Sequence, residues 1–412
     1  QLSYNVVPTY ENDQMVFKEV VYGLTFEYQN VREVLNLGSN MENRLEYEIT
    51  TVIRTLAKVK LPEIVVFRDS TYAIFPAEAF EKNLQRNFNV TDTDLNFIPN
   101  TAKVMLFTGL VDSLSANQLY QLDQFMMHGG KLVVLQERVP TFYDPMIDVE
   151  SNFFDLLEHY GVQIRRNIVL DLVCDVQRMG LYDRIPFPVF PVVRGTESII
   201  TKNMNNIVLY LTSVVAPSRD TLSISFEPLL RTSYNSNVIT GPVYEMNSYI
   251  MNRPTPDMFP MPPQTVGAHF KGDISSYFVN SDIDLPAGFV SEAKGAEIIV
   301  FADRELVVDI DNPLFHTRWY IILNALDYFM GNPSMIDIRS RSIQSSVFNL
   351  RVYLENLDRL DFDIPEIERN IKMWIRIICI GLPSVLLLLM GLYVHLRHKN
   401  YRKRIAEIYE KA

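Results

Sequence analysis

Cysteine is nearly missing from this chain. Cys174 and Cys379 are the only two among 412 residues, which excludes a disulfide framework. They fall in segments expected on different sides of a membrane boundary, so they are not expected to pair. A domain without staples must rest on its core, and 48% apolar residues can fill one. Glycine is scarce at 16 while proline reaches 22, which excludes a flexible linker protein. Positive charge is short as well. Against 49 acidic side chains stand 38 lysines and arginines, a net charge of −11. That balance excludes nucleic acid as a partner and disfavours broad contact with anionic headgroups.

Catalytic signatures are equally absent. The chain has no Walker-type glycine loop, GxSxG elbow, HExxH or CxxC. Its six histidines (His128, His159, His269, His316, His395, His398) are scattered along the chain, and no zinc site is expected from them. Cys174 lies in the strand-like run IVLDLVCDV and reads as a buried structural thiol rather than a nucleophile. No catalytic residue, metal ligand or cofactor is expected.

What the chain does have is one long uncharged run. Ile377 to Leu396 reads IICIGLPSVLLLLMGLYVHL, without Asp, Glu, Lys or Arg. As a helix it would rise roughly 30 Å, the thickness of a bilayer's hydrocarbon core. Gly381, Pro383 and Gly391 are compatible with a membrane helix. Trp374 and Arg376 suit the outer interface, where an amphipathic ring sits and a guanidinium snorkels. Arg397, Lys399, Arg402, Lys403 and Arg404 follow, and basic residues beside a span stay in the cytoplasm. The chain is therefore expected at a bacterial inner membrane, with its bulk periplasmic and its C-terminus cytoplasmic. Trp374, Arg376, Pro383, Gly391, Arg397, Lys399 and Arg402 are the expected contacts with lipid and partner helices. At the other end Gln1 to Tyr10 is polar and carries no export signal. Gln1 is an improbable natural start, so a signal, an anchor or a membrane domain is expected upstream.

The soluble part reads as alternating strands and helices. YGLTFEYQNVREVLNL (Tyr22–Leu37) predicts a hairpin around Gln29-Asn30. Asn40 is placed to cap a helix with the stripe Leu45, Ile49, Val52, Ile53 and Leu56. Pro62 opens a strand over 64–67, a helix follows over about 77–87, and 88–95 reads as an edge strand. KVMLF (Lys103–Phe107) is a buried strand. Ser115 caps a helix lined by Leu119, Leu122, Phe125 and Met126, which Gly129-Gly130 stops before a strand over 131–135. Alternation of this kind predicts a parallel sheet with helices on its faces. From Tyr143 to Lys294 one helix (151–160) is expected, followed by β-type runs broken by prolines, an inserted β-rich lobe. The first pattern returns with a strand over 297–302 and a helix lined by Trp319, Ile322, Leu326, Phe329 and Met330. FMMHGG at Phe125 and FMGNP at Phe329 each close a helix before a short strand, at Lys131 and Met335, which suggests either a faint repeat or similar units of one sheet. Ile343, Val347, Leu350, Leu354 and Leu357 keep helical spacing before the apolar run, as an amphipathic stalk or a partner surface.

These readings divide the chain into an N-terminal hairpin region (1–38), a first α/β part (39–142), the β-rich insertion (143–295) and a second α/β part (296–341). A juxtamembrane segment (342–372), a transmembrane helix (373–397) and a basic tail (398–412) complete it.

Ligands of such sheets bind at the carboxyl ends of parallel strands. Asp303 and Glu305, with Asp309 and Asp311, follow one such strand, and Asp69, Ser70, Thr108 and Asp112 share the rim. Asp69, Ser70, Asp112, Asp303 and Glu305 are thus the candidate ligand crevice. A divalent cation or a carbohydrate or peptide ligand is one reading; a solvated loop with helix-capping carboxylates is the other. Asn89-Val90-Thr91 fits the glycosylation pattern.

In their order, YGLTFEYQNVREVLNL, LEYEITTVIRTLAK, IPNTAKVMLFTGLVDSLSANQLYQLDQFMMHGGKLVVL, FFDLLEHYGVQI, EPLLRTSYNS, IIVFADRELV, ILNALDYFMGNPSMIDIRSR and the C-terminal run span nearly the whole chain. On these phrases the chain resembles the GldG-type auxiliary subunits of ABC transport systems, first known from gliding motility. The resemblance implies a fold like class I glutamine amidotransferases without the catalytic cysteine, and no cysteine here sits on a strand-to-helix elbow. It implies as partners a membrane permease and, through it, a cytoplasmic ATPase. The family's late acidic loop reads like GDSDF, whereas this chain reads ADRELV from Ala302, losing the glycine and one acid. The expected protein is a non-enzymatic, membrane-anchored periplasmic subunit. The alternative is a ligand-binding domain using the crevice.

Overall fold

The computed structural model describes residues 4–11, 14–21, 23–37, 44–69, 77–140, 148–179, 183–218, 224–280, 286–308 and 318–343, with short pieces between 373 and 399. Residues 1–347 form one compact unit and 348–412 a second.

Two hairpins open the first unit: β1 (Tyr4–Glu11) with β2 (Gln14–Val21), then β3 (Gly23–Tyr28) with β4 (Val31–Asn36). The second turns at Gln29-Asn30 as expected. Both residues take positive φ (47° and 63°), the left-handed pair that a two-residue hairpin turn demands. Leu35 packs against Val52 and Leu56 of helix α1 (Leu45–Leu56). Asn40, the expected cap, lies outside the described residues. The expected stripe of α1 is rotated: Ile53 is 53% exposed, while Tyr47, Glu48 and Thr51 are buried. Tyr47 turns inward because its hydroxyl accepts a 2.8 Å hydrogen bond from buried Asn87.

The α/β alternation then follows. Strand β5 (Glu63–Phe67), helix α2 (Glu78–Asn87), strands β6 (Asn89–Thr93) and β7 (Val104–Phe107), helix α3 (Ala116–Met127) and strand β8 (Lys131–Leu135) run in turn. Ser115 and Gln118 form a reciprocal capping box on α3. Gly129 supplies the positive φ (85°) that ends it. Helix α4 (Asn152–His159) is capped by Ser151 and closed by Gly161 at φ 86°.

The segment read as an inserted β-rich lobe extends the sheet with part of its strands and pairs the others in two two-stranded sheets of their own. Strands β9 (Val162–Ile164), β10 (Asn167–Asp171), β11 (Cys174–Met179), β12 (Asp183–Gly195), β13 (Ile207–Val208), β14 (Val215–Pro217), β15 (Ile224–Arg231) and β16 (Ser236–Thr240) lead through the short helix α5 (Asn247–Ile250) to β17 (Thr265–Ser275) and β18 (Glu292–Phe301). A ten-stranded sheet runs β11-β12-β15-β17-β18-β8-β7-β5-β6, with β13 also on β12. The half from β18 to β6 is parallel, and the half from β18 to β11 is antiparallel. The sheet is thus mixed, where a mostly parallel one was expected. Long β17 pairs with β18 along its length and carries the sheet onward. Pro186, Pro188 and Pro191 all fall in β12, whose neighbours change along its length, as suits residues that donate nothing to a ladder. The run IVLDLVCDV is two strands, not one. Asp171 breaks it by accepting the Val173 N–H at 2.7 Å.

Period-two alternation sends β-residues to two cores. Val65, Met105, Phe107 and Val134 meet α3 and α4, while Ile64, Val104, Leu106 and Val133 meet the helices of the opposite face. That second layer ends in α6 (Tyr320–Phe329) and α7 (Pro333–Ile343). A strand at Met335 was expected. The residues from Pro333 form a helix because proline's φ suits a first helical position and because Met335, Ile336, Arg339 and Ser340 recur at helical spacing, all buried. The suggested repeat therefore ends at its first half. With α7 over it, α6 is buried nearly all round rather than on one stripe. Fully buried Arg339 pairs with Asp327, donates to Asn324 Oδ1 at 2.8 Å and lies over the Tyr47 ring, which ties α7, α6 and α1 together.

In the second unit the described positions at 373–379, 383, 390–391, 393–395 and 397–399 are helical. They include Trp374, Arg376, Pro383, Gly391, Arg397 and Lys399. Arg402 and most of the juxtamembrane segment lie outside the described residues. Among the described residues no helix is long and apolar enough to cross a membrane; positions 380–382, 384–389, 392 and 396 of the expected span lie outside them.

Candidate functional site at the carboxyl ends of the parallel strands

Four of the five parallel strands, β5, β7, β8 and β18, deliver their carboxyl ends to one rim. At β5, Asp69 accepts the Val111 N–H at 3.1 Å. At β7, Thr108 donates both its N–H (3.1 Å) and its hydroxyl (2.9 Å) to the Phe67 carbonyl. Gly109 follows with φ 89°. A Cβ there would stand 2.7 Å from the Leu135 oxygen and 3.0 Å from Arg304 Cδ, so glycine is required twice over.

The chain after β8 contributes most. Gln136 is fully buried, accepts the Leu110 N–H at 2.8 Å and donates to the Leu110 and Glu137 carbonyls. Glu137, 1% exposed, pairs with Arg304 Nε at 2.7 Å, and its other oxygen accepts the Arg304 N–H at 2.8 Å. Breaking so buried a pair on one side leaves an uncompensated charge, a cost of roughly 3–5 kcal/mol.

At β18, Asp303 is wholly buried and caps the short 3-10 turn Arg304–Val307. One carboxylate oxygen accepts the Glu305 N–H and the other the Tyr210 N–H, each at 2.8 Å. Burial pushes its pKa up to about 7, against the pull of the Arg318 guanidinium and with a further push from Glu137. Arg318, 2% exposed, donates to the Glu305 and Val308 carbonyls and lies 5.2 Å over the Tyr210 ring. Burial raises the Tyr210 phenol to about 12.

Of the candidate crevice residues, the fold brings Asp303 and Glu305 together below the surface. Asp69 stands at the neighbouring strand end, and Asp112 is exposed. Ser70, Asp309 and Asp311 lie outside the described residues. The Asp303 carboxylate caps a turn, but in the interior rather than in a solvated loop. Gln136, Glu137, Arg304 and Arg318 escaped the sequence reading. Gln136 and Glu137 directly follow the buried run KLVVL, and the rule that pointed to Asp303 applies to them equally. Among the described residues, the rim that open α/β sheets offer to ligands carries side chains bonded to one another and to main chain. Among the described residues no group of three or more His, Cys, Asp or Glu side chains could hold a metal ion.

A family described as "ABC-type uncharacterized transport system" matches residues 61–332, from the start of β5 to the end of α6. An uncharacterized protein of Borreliella burgdorferi is 19% identical over 355 residues, covering 81% of this chain and 67% of that protein. Among solved structures, the mmIFT52 N-terminal domain aligns with TM-score 0.39 and 12% identity, over 69% of this chain and 99% of that one. The β-galactosidase Gan42B from G. stearothermophilus aligns with TM-score 0.21 and 12% identity, over 64% of this chain and 43% of that one.

Proposed function

The chain belongs to this ABC-type transport auxiliary family, and from that premise we propose that it is a non-enzymatic, membrane-anchored subunit whose bulk lies outside the cytoplasm. It docks on a permease that works with a cytoplasmic ATPase, in a transport or gliding-motility machine. The bonded rim carries this reading. A sheet whose ligand end carries the Glu137–Arg304 pair, with both Asp303 oxygens held by backbone N–H groups, is built to be rigid rather than to receive a substrate. The uncharged run Ile377 to Leu396 and its basic flank supply the anchor. A carbohydrate or peptide held by Asp69, Asp112 and Asp303 would first have to strip Asp303 of two hydrogen bonds in a buried setting, which is costly.

The test is affinity purification of the full chain from its native membrane in mild detergent. A permease and an ATPase are expected to co-purify in fixed ratio. Recovery of a lone monomer under those conditions would sink the reading.

A further inference from the structure

Strand β6 ends the parallel half of the sheet, and no described strand pairs with its outer side. Its main-chain groups can be assigned from one bond. Asn89 donates its N–H inward, to the Pro62 carbonyl at 2.9 Å. Successive residues of a strand point their main-chain groups to opposite sides. Asn89, Thr91 and Thr93 therefore serve β5, and Val90 and Asp92 present N–H and C=O outward. An open edge of this kind is a template for another strand.

A cleft of about 400 Å³ lies along the same edge, between β6 and α2. Leu61, Phe88 and Val90 give it apolar lining, and Arg68, Glu81 and Asp92 give it charge. Arg68 is held by Glu81 at 3.0 and 2.6 Å and also pairs with Asp92. One guanidinium thus answers two carboxylates. From Asn89 to Ile98 the chain contains Asp92 and Asp94 and no basic residue. Asp92 is 74% exposed, so the edge presents negative charge beside an apolar notch.

We propose that β6 and this cleft bind an extended segment of a partner polypeptide as an added edge strand. Side chains two apart on the added strand would face α2. One of them, apolar, covers Val90 and Leu61; the other, a lysine or arginine, pairs with Asp92. The recognised pattern is an apolar and a basic residue separated by one position. The cleft opens on the outer edge of the sheet, with Arg68 one residue from Asp69 of the rim, and the proposal does not depend on the docking reading given above.

The probes are two synthetic peptides of alternating valine and threonine, one carrying a central lysine and the other a glutamate in its place, added to the detergent-solubilised full chain. The lysine peptide is expected to slow amide exchange across 88–94 by about tenfold or more, and the glutamate peptide to leave it unchanged. D92P removes an outward N–H together with the carboxylate that pairs with Arg68, at a position where strands tolerate proline, and is expected to abolish the protection while the unfolding midpoint stays near that of the parent; D92N, which loses the charge alone, separates the two effects. D92N is expected to keep binding but lose the preference for lysine. Equal protection by both peptides, or protection that survives D92P, would overturn the proposal. So would protection of 88–94 that grows with protein concentration in the absence of peptide, because a second copy would then be the occupant.

Discussion

At the scale of single residues, buried acids shape this protein. Asp171 and Asp303 each have a pKa raised to about 7, in both cases chiefly by burial. Ser233 and Val173 work against that at Asp171 with three hydrogen bonds of 2.6 to 2.7 Å. A carboxylate whose folded pKa exceeds its unfolded one holds its proton more tightly in the native state. The stability it contributes is complete below the unfolded value and is lost as pH rises through the folded one. The window here runs from the ordinary 3.8 to about 7. D171N should therefore lose its disadvantage, relative to the parent, as pH rises from 5 to 8. Urea midpoints of the two proteins at both pH values check this; a constant gap would mean that Asp171 titrates normally. The acid at position 303 was legible in the sequence because it follows a buried strand. The reason for its burial was not, since Tyr210 and Arg318 reach it from distant parts of the chain.

At the scale of elements, periodicity hides one junction. Asp123 sits within α3 among Leu119, Leu122, Phe125 and Met126, and is fully buried. Its carboxylate accepts from Tyr160 Oη (2.7 Å), Ser276 Oγ (2.7 Å), the Tyr277 N–H (2.8 Å) and Gln124 Nε2 (2.9 Å). One side chain thereby joins α3 to the residue that ends α4 and to the turn after β17. D123A would strand several buried donors, each costing roughly 1–3 kcal/mol. A loss of several kcal/mol in chemical denaturation is expected, with faster amide exchange at 276–278; a loss below about 1 kcal/mol would show that the junction relaxes. Helix α7 teaches the same lesson in reverse. Its apolar residues are few, and Arg339 looks like a surface residue in the sequence. It is buried because Asp327 and Asn324 of α6 and the Tyr47 ring of α1 receive it, and sequence order does not disclose those partners.

For the whole molecule, the proposed anchoring and orientation are open to a labelling test. Asn117 is exposed at the start of α3, and N117C should react with a membrane-impermeant maleimide on intact spheroplasts. K411C, in the basic tail, should react only after lysis. The reverse pattern would refute the proposed orientation. The sequence by itself determined the hairpin at Gln29-Asn30, the capped helix α3, the buried parallel strands and the uncharged run near the C-terminus. Each of these depends on neighbours along the chain: turn chemistry, caps, and apolar spacing. Only the tertiary structure decided that β11, β12, β15 and β17 of the β-rich insertion join the sheet, that α7 is a helix, and that buried side chains bond to one another across the described part of the rim. Strand pairing through β17 and the ion pairs Glu137–Arg304 and Asp327–Arg339 join residues 12 to 167 positions apart. The energy of such contacts depends on which residues meet in space, and local pattern carries no record of that.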